Sequence, residues 1–195
     1  MEGGFLSAQR PRLADLDEAT LVARAQDGDL DAFEVLVDIY QTPLFRYAVR
    51  TVRDRHLAED VIQESLLAAW RKLPTLSDPS ALKAWLYQIV TFRCLDALRR
   101  RQSAPSLVDG LDWMAEEKQT GHDPAAEFEH RERLQALQQV LAELPVELRL
   151  CWVLKELQGL SYDEIATALN VPVSTVRGRL ARSRQQISER MVSWR

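Results

Sequence analysis

Apolar residues recur three or four positions apart along most of this chain, and the alternation typical of β-strands is nearly absent. This spacing predicts five helices in the first half of the chain: one around Leu21–Ala25, one over 33–42, one over 44–53, one over 57–73 and one over 79–101. Pro43 and Pro74 are predicted to end the second and fourth of these helices, because proline lacks the N–H of an intrahelical hydrogen bond. Asp78 followed by Pro79 is typical of a helix start. The pattern predicts an all-α fold.

The helical pattern is interrupted between residue 102 and about residue 123, where prolines and glycines break the periodicity. From Gln102 to His130, seven carboxylates face a single lysine, Lys118, which leaves a net charge of about −6. A polar, acidic stretch of this kind predicts a flexible linker between two small helical domains. We therefore divide the chain into an N-terminal extension, a first domain, a linker and a second domain, with boundaries at 1–17, 18–101, 102–129 and 130–195.

The second half of the chain contains a predicted helix-turn-helix. Its helical pattern restarts at Asp123–Pro124, breaks at Pro145 and resumes before Ser161, which forms a capping box with Glu164. The helix that begins there is predicted to end near Asn170, since asparagine tolerates the left-handed backbone of a tight turn. Ser174 is predicted to cap the helix that follows.

This last helix is strongly basic in a chain whose formal net charge is −4. From Ser174 onward six arginines face one glutamate, a net of about +5. Some positions of this helix do not fit the apolar core, and they include Arg177, Arg179 and Arg182. The pattern favours a recognition helix in the major groove of DNA, with arginines on phosphates and base edges. An arginine-rich solvated surface helix is the alternative.

The helix predicted over 79–101 has an apolar face that becomes charged towards its end. The apolar positions on this face are Leu82, Trp85, Leu86, Ile89 and Phe92. The charged residues that follow are Arg93, Asp96, Arg99, Arg100 and Arg101. The last turns are predicted to leave the core and to suit a phosphate backbone. A solvated helix end paired with its own dipole explains the arginines as well.

Composition excludes several classes of protein. Cys94 and Cys151 are isolated, without the spacing of a zinc site or a disulfide framework, and are expected to be buried, inert thiols. The three histidines lack metal-binding spacing, and neither a phosphate-binding loop nor a nucleophile elbow is present. We therefore expect no metal, no cofactor and no enzymatic activity. Without a signal peptide or an apolar run of about 18 residues, the chain is expected to be cytoplasmic and not inserted in a membrane.

The order of these motifs resembles the bacterial sigma factors of the extracytoplasmic-function group, which retain only regions 2 and 4. The resemblance covers roughly residues 18–101 and 130–188. It is carried by Ala58–Glu64 with Trp70, Trp85–Leu86 with Ile89, Asp96 and Arg99–Arg100, then Leu144–Pro145 with Arg149, Gly159–Ala166, Thr175–Arg177, Arg179–Leu180 and Arg182. It implies region 2 for the first domain and region 4 for the second.

The resemblance implies a dissociable subunit that binds core RNA polymerase, directs it to promoters through their −10 and −35 elements and helps to melt DNA. Asp60, Gln63 and Glu64 are then expected to bind the clamp helices of the largest polymerase subunit. The second domain is expected to contact the flap of the second-largest subunit. An anti-sigma factor, often membrane-bound in such proteins, is a further expected partner, and the linker is expected to thread towards the active centre. A disordered tether explains the linker composition equally well.

For the −10 element, the resemblance implies a base-binding pocket in the loop at about 76–80, and contacts along the helix that follows. The candidate residues are Ser77, Asp78, Ser80, Arg93, Asp96, Arg99 and Arg100. The three loop residues fit an ordinary helix start equally well. Phe92 stands where the family commonly has an asparagine that reads single-stranded DNA. Its ring either turns into the core or stacks on a base, and of these two we expect the core.

For the −35 element, the resemblance implies contacts from Lys155, Ser174, Thr175, Arg177, Arg179 and Arg182. Gly178 and Ala181 stand where relatives often carry serine and a bulkier residue, and Gly178 in a helix costs about 1 kcal/mol relative to alanine. A stand-alone helix-turn-helix regulator is the alternative function. That alternative predicts DNA binding without polymerase.

Overall fold

A computed structural model describes residues 13–102 and 124–191 of the chain, and within these ranges the regular structure is helical with no strand. The eight α-helices of the described ranges are α1 Glu18–Gln26, α2 Leu30–Val52, α3 Arg55–Lys72, α4 Leu82–Gln102, α5 Pro124–Glu143, α6 Val146–Trp152, α7 Tyr162–Leu169 and α8 Val173–Arg190. The described ranges also contain four short helical turns. Three are 3-10 turns, at Leu13–Asp15, Leu73–Thr75 and Pro79–Ala81, and one is a π-helical turn at Val153–Leu157. The predicted all-α fold is confirmed for these ranges. Most of the N-terminal extension and of the linker lies outside the described residues, and residues 124–129 of the predicted linker belong to α5.

Aspartate caps set the starts of the first three helices. The carboxylates of Asp17, Asp29 and Asp54 each accept a hydrogen bond from a backbone N–H in the first turn of the helix that follows. Such a cap satisfies one of the N–H groups that a helix start leaves unpaired, typically for about 1 kcal/mol. These local signals explain why α1, α2 and α3 begin where they do.

Pro43 does not end a helix, so the two helices predicted over 33–42 and 44–53 are one, α2. A proline inside a helix costs roughly 3 kcal/mol or more, because it removes a hydrogen bond and crowds the preceding turn. Tyr40, Leu44 and Tyr47, on either side of Pro43, are all buried. Burial of each large apolar side chain is worth about 1.5–3 kcal/mol, which outweighs the cost of the proline.

The buried face of α4 differs from the predicted one. Tyr87, Val90 and Cys94 are buried, whereas Phe92 is 61% exposed, so the prediction that Phe92 turns into the core is wrong. The last turns also stay closer to the core than predicted, since Leu98 packs against it. The reason is that α4 lies between α2 and α3 on one side and α7 on the other, so its buried face is rotated from the stripe that the sequence pattern indicates.

The helix-turn-helix forms as predicted except at the start of its second helix. Ser161 and Glu164 make both hydrogen bonds of a capping box, and Asn170 adopts the left-handed conformation with φ 50°. The N-cap of α8, however, is Pro172, so the prediction that Ser174 caps this helix is wrong. The carbonyl of Pro172 accepts hydrogen bonds from Thr175 and Val176 at 2.9 and 3.2 Å, and its fixed extended backbone starts the helix one residue before Ser174.

The two halves of the chain share one hydrophobic core. Buried residues from α1–α4 and from α6–α8 belong to the same cluster, and α7 packs along α4. Polar contacts cross the same boundary: the Tyr87 hydroxyl donates to Oε1 of Gln158 at 2.7 Å, and Nη2 of Arg149 donates to the carbonyl of Thr51 at 3.3 Å. The fold therefore places the helix-turn-helix beside α4.

Both cysteines are buried and free, as predicted. Burial raises the pKa of the Cys94 thiol to about 12. Burial also raises the pKa of the Cys151 thiol, while the neighbouring Arg179 guanidinium opposes that rise. Both groups are therefore protonated thiols near neutral pH, the less reactive form.

Candidate polymerase and nucleic-acid interfaces

Helix α8 presents one continuous exposed face. Val176, Leu180 and Ser183 are buried against the rest of the domain. The opposite face follows helical spacing and is exposed at Ser174, Arg177, Gly178, Ala181, Arg182 and Gln185. Two small residues therefore lie between two arginines on the outer side of the helix. A Cβ added at Gly178 would meet no atom within 4 Å, so packing inside the protein does not explain this glycine.

The arginines of α8 fall into two groups. Arg177 makes no hydrogen bond or ion pair with the residues that the structure describes, and Arg182 makes only a local one, to the carbonyl of Gly178 at 3.3 Å. Arg184 and Arg190, by contrast, form ion pairs with glutamates of the same domain at 2.8 and 3.0 Å. Arg179 is half-buried and contacts the Cys151 thiol, so the prediction that it occupies a position unused by the core is wrong in part. The cations most available to a partner are therefore Arg177 and Arg182.

Lys155 lies in the π-helical turn before the helix-turn-helix. Its Nζ donates a hydrogen bond to the carbonyl of Leu160 at 3.1 Å and lies 5.3 Å from the centroid of the Tyr162 ring. Thr175 is half-buried in the first turn of α8, next to the exposed Ser174. These contacts hold Lys155 against the start of α7. Lys155 is therefore not part of the exposed face of α8.

Helix α3 carries the predicted acidic face. Asp60, Gln63 and Glu64 are all exposed, and the spacing of three and four residues places them together. Leu67 extends this face and is 58% exposed. The sequence pattern does not single out Leu67, because the adjacent Leu66 fits the helical repeat equally well. An exposed apolar side chain bordered by polar groups is compatible with a protein interface, in which a polar rim surrounds an apolar centre.

The predicted polymerase-binding and −10 residues meet in the groove between α3 and α4, whose volume is about 410 Å³. Nη1 of Arg93 lies 3.1 Å from Oε2 of Glu64, which joins a residue of each predicted site. Further along α4, Arg100 forms an ion pair with Asp96 at 2.5 Å. Arg99 donates to the carbonyl of Leu95 at 3.3 Å within the same helix. The two predicted sites therefore form one surface.

The loop before α4 is organised by Asp78. Its carboxylate accepts hydrogen bonds from the backbone N–H and the hydroxyl of Ser80 at 2.9 and 2.7 Å. These hydrogen bonds, the one from the hydroxyl first, lower the pKa of the Asp78 carboxyl. Ser77 is exposed beside them. Asp78 and Ser80 thus form the helix start, while Ser77 faces solvent.

A second groove, of about 370 Å³, runs between α4 and the end of α7. Its lining contains two cations, two amides and two aromatic rings and no carboxylate; these residues are Lys72, Arg93, Gln88, Asn170, Trp85 and Phe92. Phe92 is among the most exposed large apolar side chains of the described residues. Cations, amides and aromatic rings together suit a single-stranded nucleic acid, whose phosphates, base edges and base faces they complement.

Comparison with known proteins decides the family. A family model of sigma-70 region 2 matches residues 36–104, and one of sigma-70 region 4 matches residues 134–187. The ECF RNA polymerase sigma-E factor of Escherichia coli strain K12 is 34% identical over 184 residues, which cover 90% of this chain and 95% of that protein. The chain belongs to the extracytoplasmic-function sigma factors.

Two further similarities support this assignment. The RNA polymerase sigma-H factor of Pseudomonas aeruginosa is 34% identical over 186 residues, 91% of this chain and 95% of that protein. The solved structure of CnrH, in complex with the cytosolic domain of CnrY, superposes with a TM-score of 0.67 at 26% identity, over 90% of this chain and 97% of that chain. The similarity therefore spans both halves of the sigma factor.

As a sigma factor, the protein acts with core RNA polymerase at promoter DNA and directs promoter-specific transcription initiation. This family consists of non-enzymatic initiation factors, and the stand-alone regulator is not favoured. In the described ranges, no helix combines the length and apolar character needed to cross a bilayer. Nor do three or more potential metal ligands cluster there.

Proposed function

We propose that this sigma factor binds core polymerase through the exposed face of α3. Asp60, Gln63 and Glu64 would contact the clamp helices of the largest subunit, and Leu67 would add apolar area. This proposal rests on the exposure of all four side chains on one helix face. Exposed carboxylates next to an apolar residue pair well with basic and apolar groups across an interface, and they also speed association through electrostatic steering.

The −35 element is assigned to the exposed face of α8. Arg177 and Arg182 supply phosphate and base contacts, while Ser174 and Thr175 lie at the start of the same helix. Gly178 and Ala181 between the two arginines let the backbone approach the groove closely. Arg179 and Lys155 hold the helix-turn-helix in shape through the Cys151 and Leu160 contacts, and their DNA contacts are secondary in this proposal.

The −10 element is assigned to α4 and the loop before it. Arg93, Asp96, Arg99 and Arg100 follow the helix on its outer side, and Ser77 together with the capping pair Asp78 and Ser80 forms the loop. Phe92 replaces the asparagine that the family commonly has. An exposed ring there offers stacking, worth about 1–3 kcal/mol per base, in place of hydrogen bonds to a base edge.

Domain boundaries and regulation complete the proposal. Region 2 occupies residues 18–101 and region 4 residues 130–195, and the acidic segment lies between them in the chain. Region 4 would also contact the flap of the second-largest polymerase subunit.

CnrH, which this chain resembles, is seen with the cytosolic domain of CnrY. We expect a comparable anti-sigma factor here, with the sigma factor in the cytoplasm and held at the membrane when its partner is membrane-bound.

Run-off transcription with core polymerase on a genomic fragment library, with and without this protein, tests the proposal. Transcripts that start at defined sites only when the protein is present are the expected result. Replacing Asp60, Gln63 and Glu64 together by alanine should abolish these transcripts through loss of polymerase binding. If no start site depends on the protein, the proposed function is wrong.

A further inference from the structure

The groove between α4 and the end of α7 has the size of a small-molecule site. Residues of α4 supply most of its lining, and Ala168, Leu169 and Asn170 form its wall on the side of the helix-turn-helix. Its volume of about 370 Å³ lies near the lower end of the range of about 300–1,000 Å³ that is usual for such sites. A strand of several nucleotides needs a longer path along the protein. The groove therefore has room for about one nucleotide.

Two cations line this groove at separate points. Arg93 lies beside Glu64 of α3, with Nη1 of Arg93 3.1 Å from Oε2 of Glu64. Lys72 follows Glu64 by eight residues on the same helix, which is about 12 Å at the rise of an α-helix. No carboxylate is present among the described residues of the lining. Lysine and arginine without a competing acid suit phosphate, and their separation favours a ligand that carries phosphate at two points.

Both cations are accessible to a ligand. The Lys72 side chain is exposed and makes no hydrogen bond or ion pair with the part of the chain that the structure describes. Arg93 lines this groove and also the groove between α3 and α4, where it meets Glu64. An exposed ion pair of this kind is weak, so a phosphate in the groove would compete well with the Glu64 carboxylate for Arg93.

The remaining polar and aromatic groups of the lining complement a base. Trp85 and Phe92 are seven residues apart on α4, and the Phe92 ring is 61% exposed. An exposed aromatic ring provides a stacking surface for any base. Gln88 of α4 and Asn170 at the end of α7 each bring an amide, which both donates and accepts hydrogen bonds and so matches the edge of a base.

We infer that this groove binds a single nucleotide that carries phosphate at both ends of its ribose. Lys72 and Arg93 would bind the two phosphates, and the base would stack on Phe92. Binding itself is independent of the proposed function, but its consequence rests on that function. The bound nucleotide would occupy the side of α4 assigned to the −10 strand, so transcription from dependent promoters would fall as the nucleotide concentration rises.

Isothermal titration calorimetry on the full-length protein tests the inference. The ligands are adenosine with one phosphate at each end of its ribose, adenosine monophosphate, adenosine and inorganic phosphate. Lys72→Gln removes one cation, and Phe92→Ala removes the stacking surface; both side chains are exposed, so both variants should fold. Arg71→Gln is the matched control, because Arg71 is the exposed neighbour of Lys72 on α3 and does not line the groove.

The bisphosphate is expected to bind wild-type protein at one saturable site. Lys72→Gln should weaken this binding about tenfold or more, as the loss of a charge-assisted hydrogen bond does, and Phe92→Ala should weaken it about fivefold or more. Arg71→Gln should match wild type. Adenosine monophosphate should bind about tenfold more weakly than the bisphosphate, and neither adenosine nor inorganic phosphate should saturate the site.

Three outcomes would overturn the inference: no saturable binding of the bisphosphate, equal affinity for the bisphosphate and the monophosphate, or equal effects of Lys72→Gln and Arg71→Gln. The consequence is measured by run-off transcription, in which the bisphosphate should inhibit wild-type holoenzyme at lower concentration than Lys72→Gln holoenzyme. Calorimetry uses neither polymerase nor DNA. A failure of the proposed function, seen as absence of dependent transcripts without any nucleotide analogue added, is therefore distinguishable from a failure to bind the bisphosphate.

Discussion

Arg93 and Glu64 form an ion pair across the groove between α3 and α4, with Nη1 of Arg93 3.1 Å from Oε2 of Glu64. The carboxylate is 56% exposed and the guanidinium 34% exposed. The pair joins a residue predicted to bind polymerase to one predicted to bind the −10 strand. If polymerase binds Glu64 as proposed, the polymerase group would compete with Arg93 for this carboxylate, and binding at α3 would then change the charge that α4 presents.

Glu64→Gln is expected to weaken polymerase binding while changing stability little. Exposed ion pairs contribute about 0–1 kcal/mol, so the free energy of unfolding, measured in urea, should fall by at most about 1 kcal/mol. The affinity for core polymerase, measured by fluorescence anisotropy, should fall at least tenfold because the interface loses a charge. Glu59→Gln is the matched control, since Glu59 lies on the same helix and pairs with Arg55 at 3.3 Å. Equal effects of the two substitutions on polymerase binding would contradict the assignment of Glu64.

Arg177→Ala and Arg182→Ala are each expected to reduce the salt dependence of promoter binding. Loss of one phosphate contact should lower the slope of log affinity against log salt by about 1, as measured with holoenzyme on a −35 duplex. Arg184→Ala removes the same charge from the same helix, but Arg184 is paired with Glu156. Its slope should stay near that of wild type, and a slope change as large as that of Arg177→Ala would argue against a defined DNA face.

Gly178→Ala should stabilise the protein and impair recognition of the −35 element. Alanine is favoured over glycine in a helix by about 1 kcal/mol, and the added methyl group meets no atom of the protein within 4 Å. Thermal unfolding should therefore occur at a higher temperature, while the methyl group holds the helix away from the DNA. Ala181→Gly on the same face is the reverse control and should destabilise the helix by about the same amount. Unchanged or improved promoter affinity in Gly178→Ala would show that the backbone does not approach DNA here.

Phe92→Ala should leave stability nearly unchanged and slow promoter melting. A phenylalanine in a core costs about 3–5 kcal/mol when replaced by alanine, but a surface substitution usually stays within about 0.5 kcal/mol. Permanganate reactivity of unpaired thymines in the −10 region should decrease with this variant, because a stacked base loses its platform. Phe92→Tyr keeps an aromatic ring and should restore melting. A large loss of stability in Phe92→Ala, or full melting without the ring, would refute the role assigned to Phe92.

Local signals predicted much of this fold because their physics involves neighbours in the chain. The capping box of Ser161 and Glu164 and the left-handed Asn170 were predicted from spacing alone, since each hydrogen bond or backbone preference lies within a few residues. The prediction for Ser174 was wrong because the carbonyl of Pro172 already serves the first turn of α8. A helix that starts from the carbonyl of Pro172 and one capped by the Ser174 side chain would begin only a few residues apart. The spacing of residues in the sequence does not distinguish the two starts.

The orientation of side chains on α4 and α8 depended on contacts between distant segments. Phe92 fits an apolar stripe in sequence, but α7 and the first-half helices bury a different side of α4. The charge of Arg179 does not suit a core, yet its guanidinium lies beside the Cys151 thiol of α6. Leu67 differs from Leu66 only in which side of α3 faces the bundle. Each of these positions was decided by which helices pack together.

The sequence by itself determined the all-α class, the helix-turn-helix, the acidic face of α3 and the basic character of α8. Hydrophobic period, capping chemistry and charge are local properties, and they suffice for these features. Only the tertiary structure decided that Pro43 stays inside one helix, that Arg93 meets Glu64 and that Tyr87 meets Gln158. The proline is retained because many residues of α2 are buried, and the two contacts join residues that are separated by 29 and by 71 positions in the chain. No local sequence pattern encodes contacts over such separations.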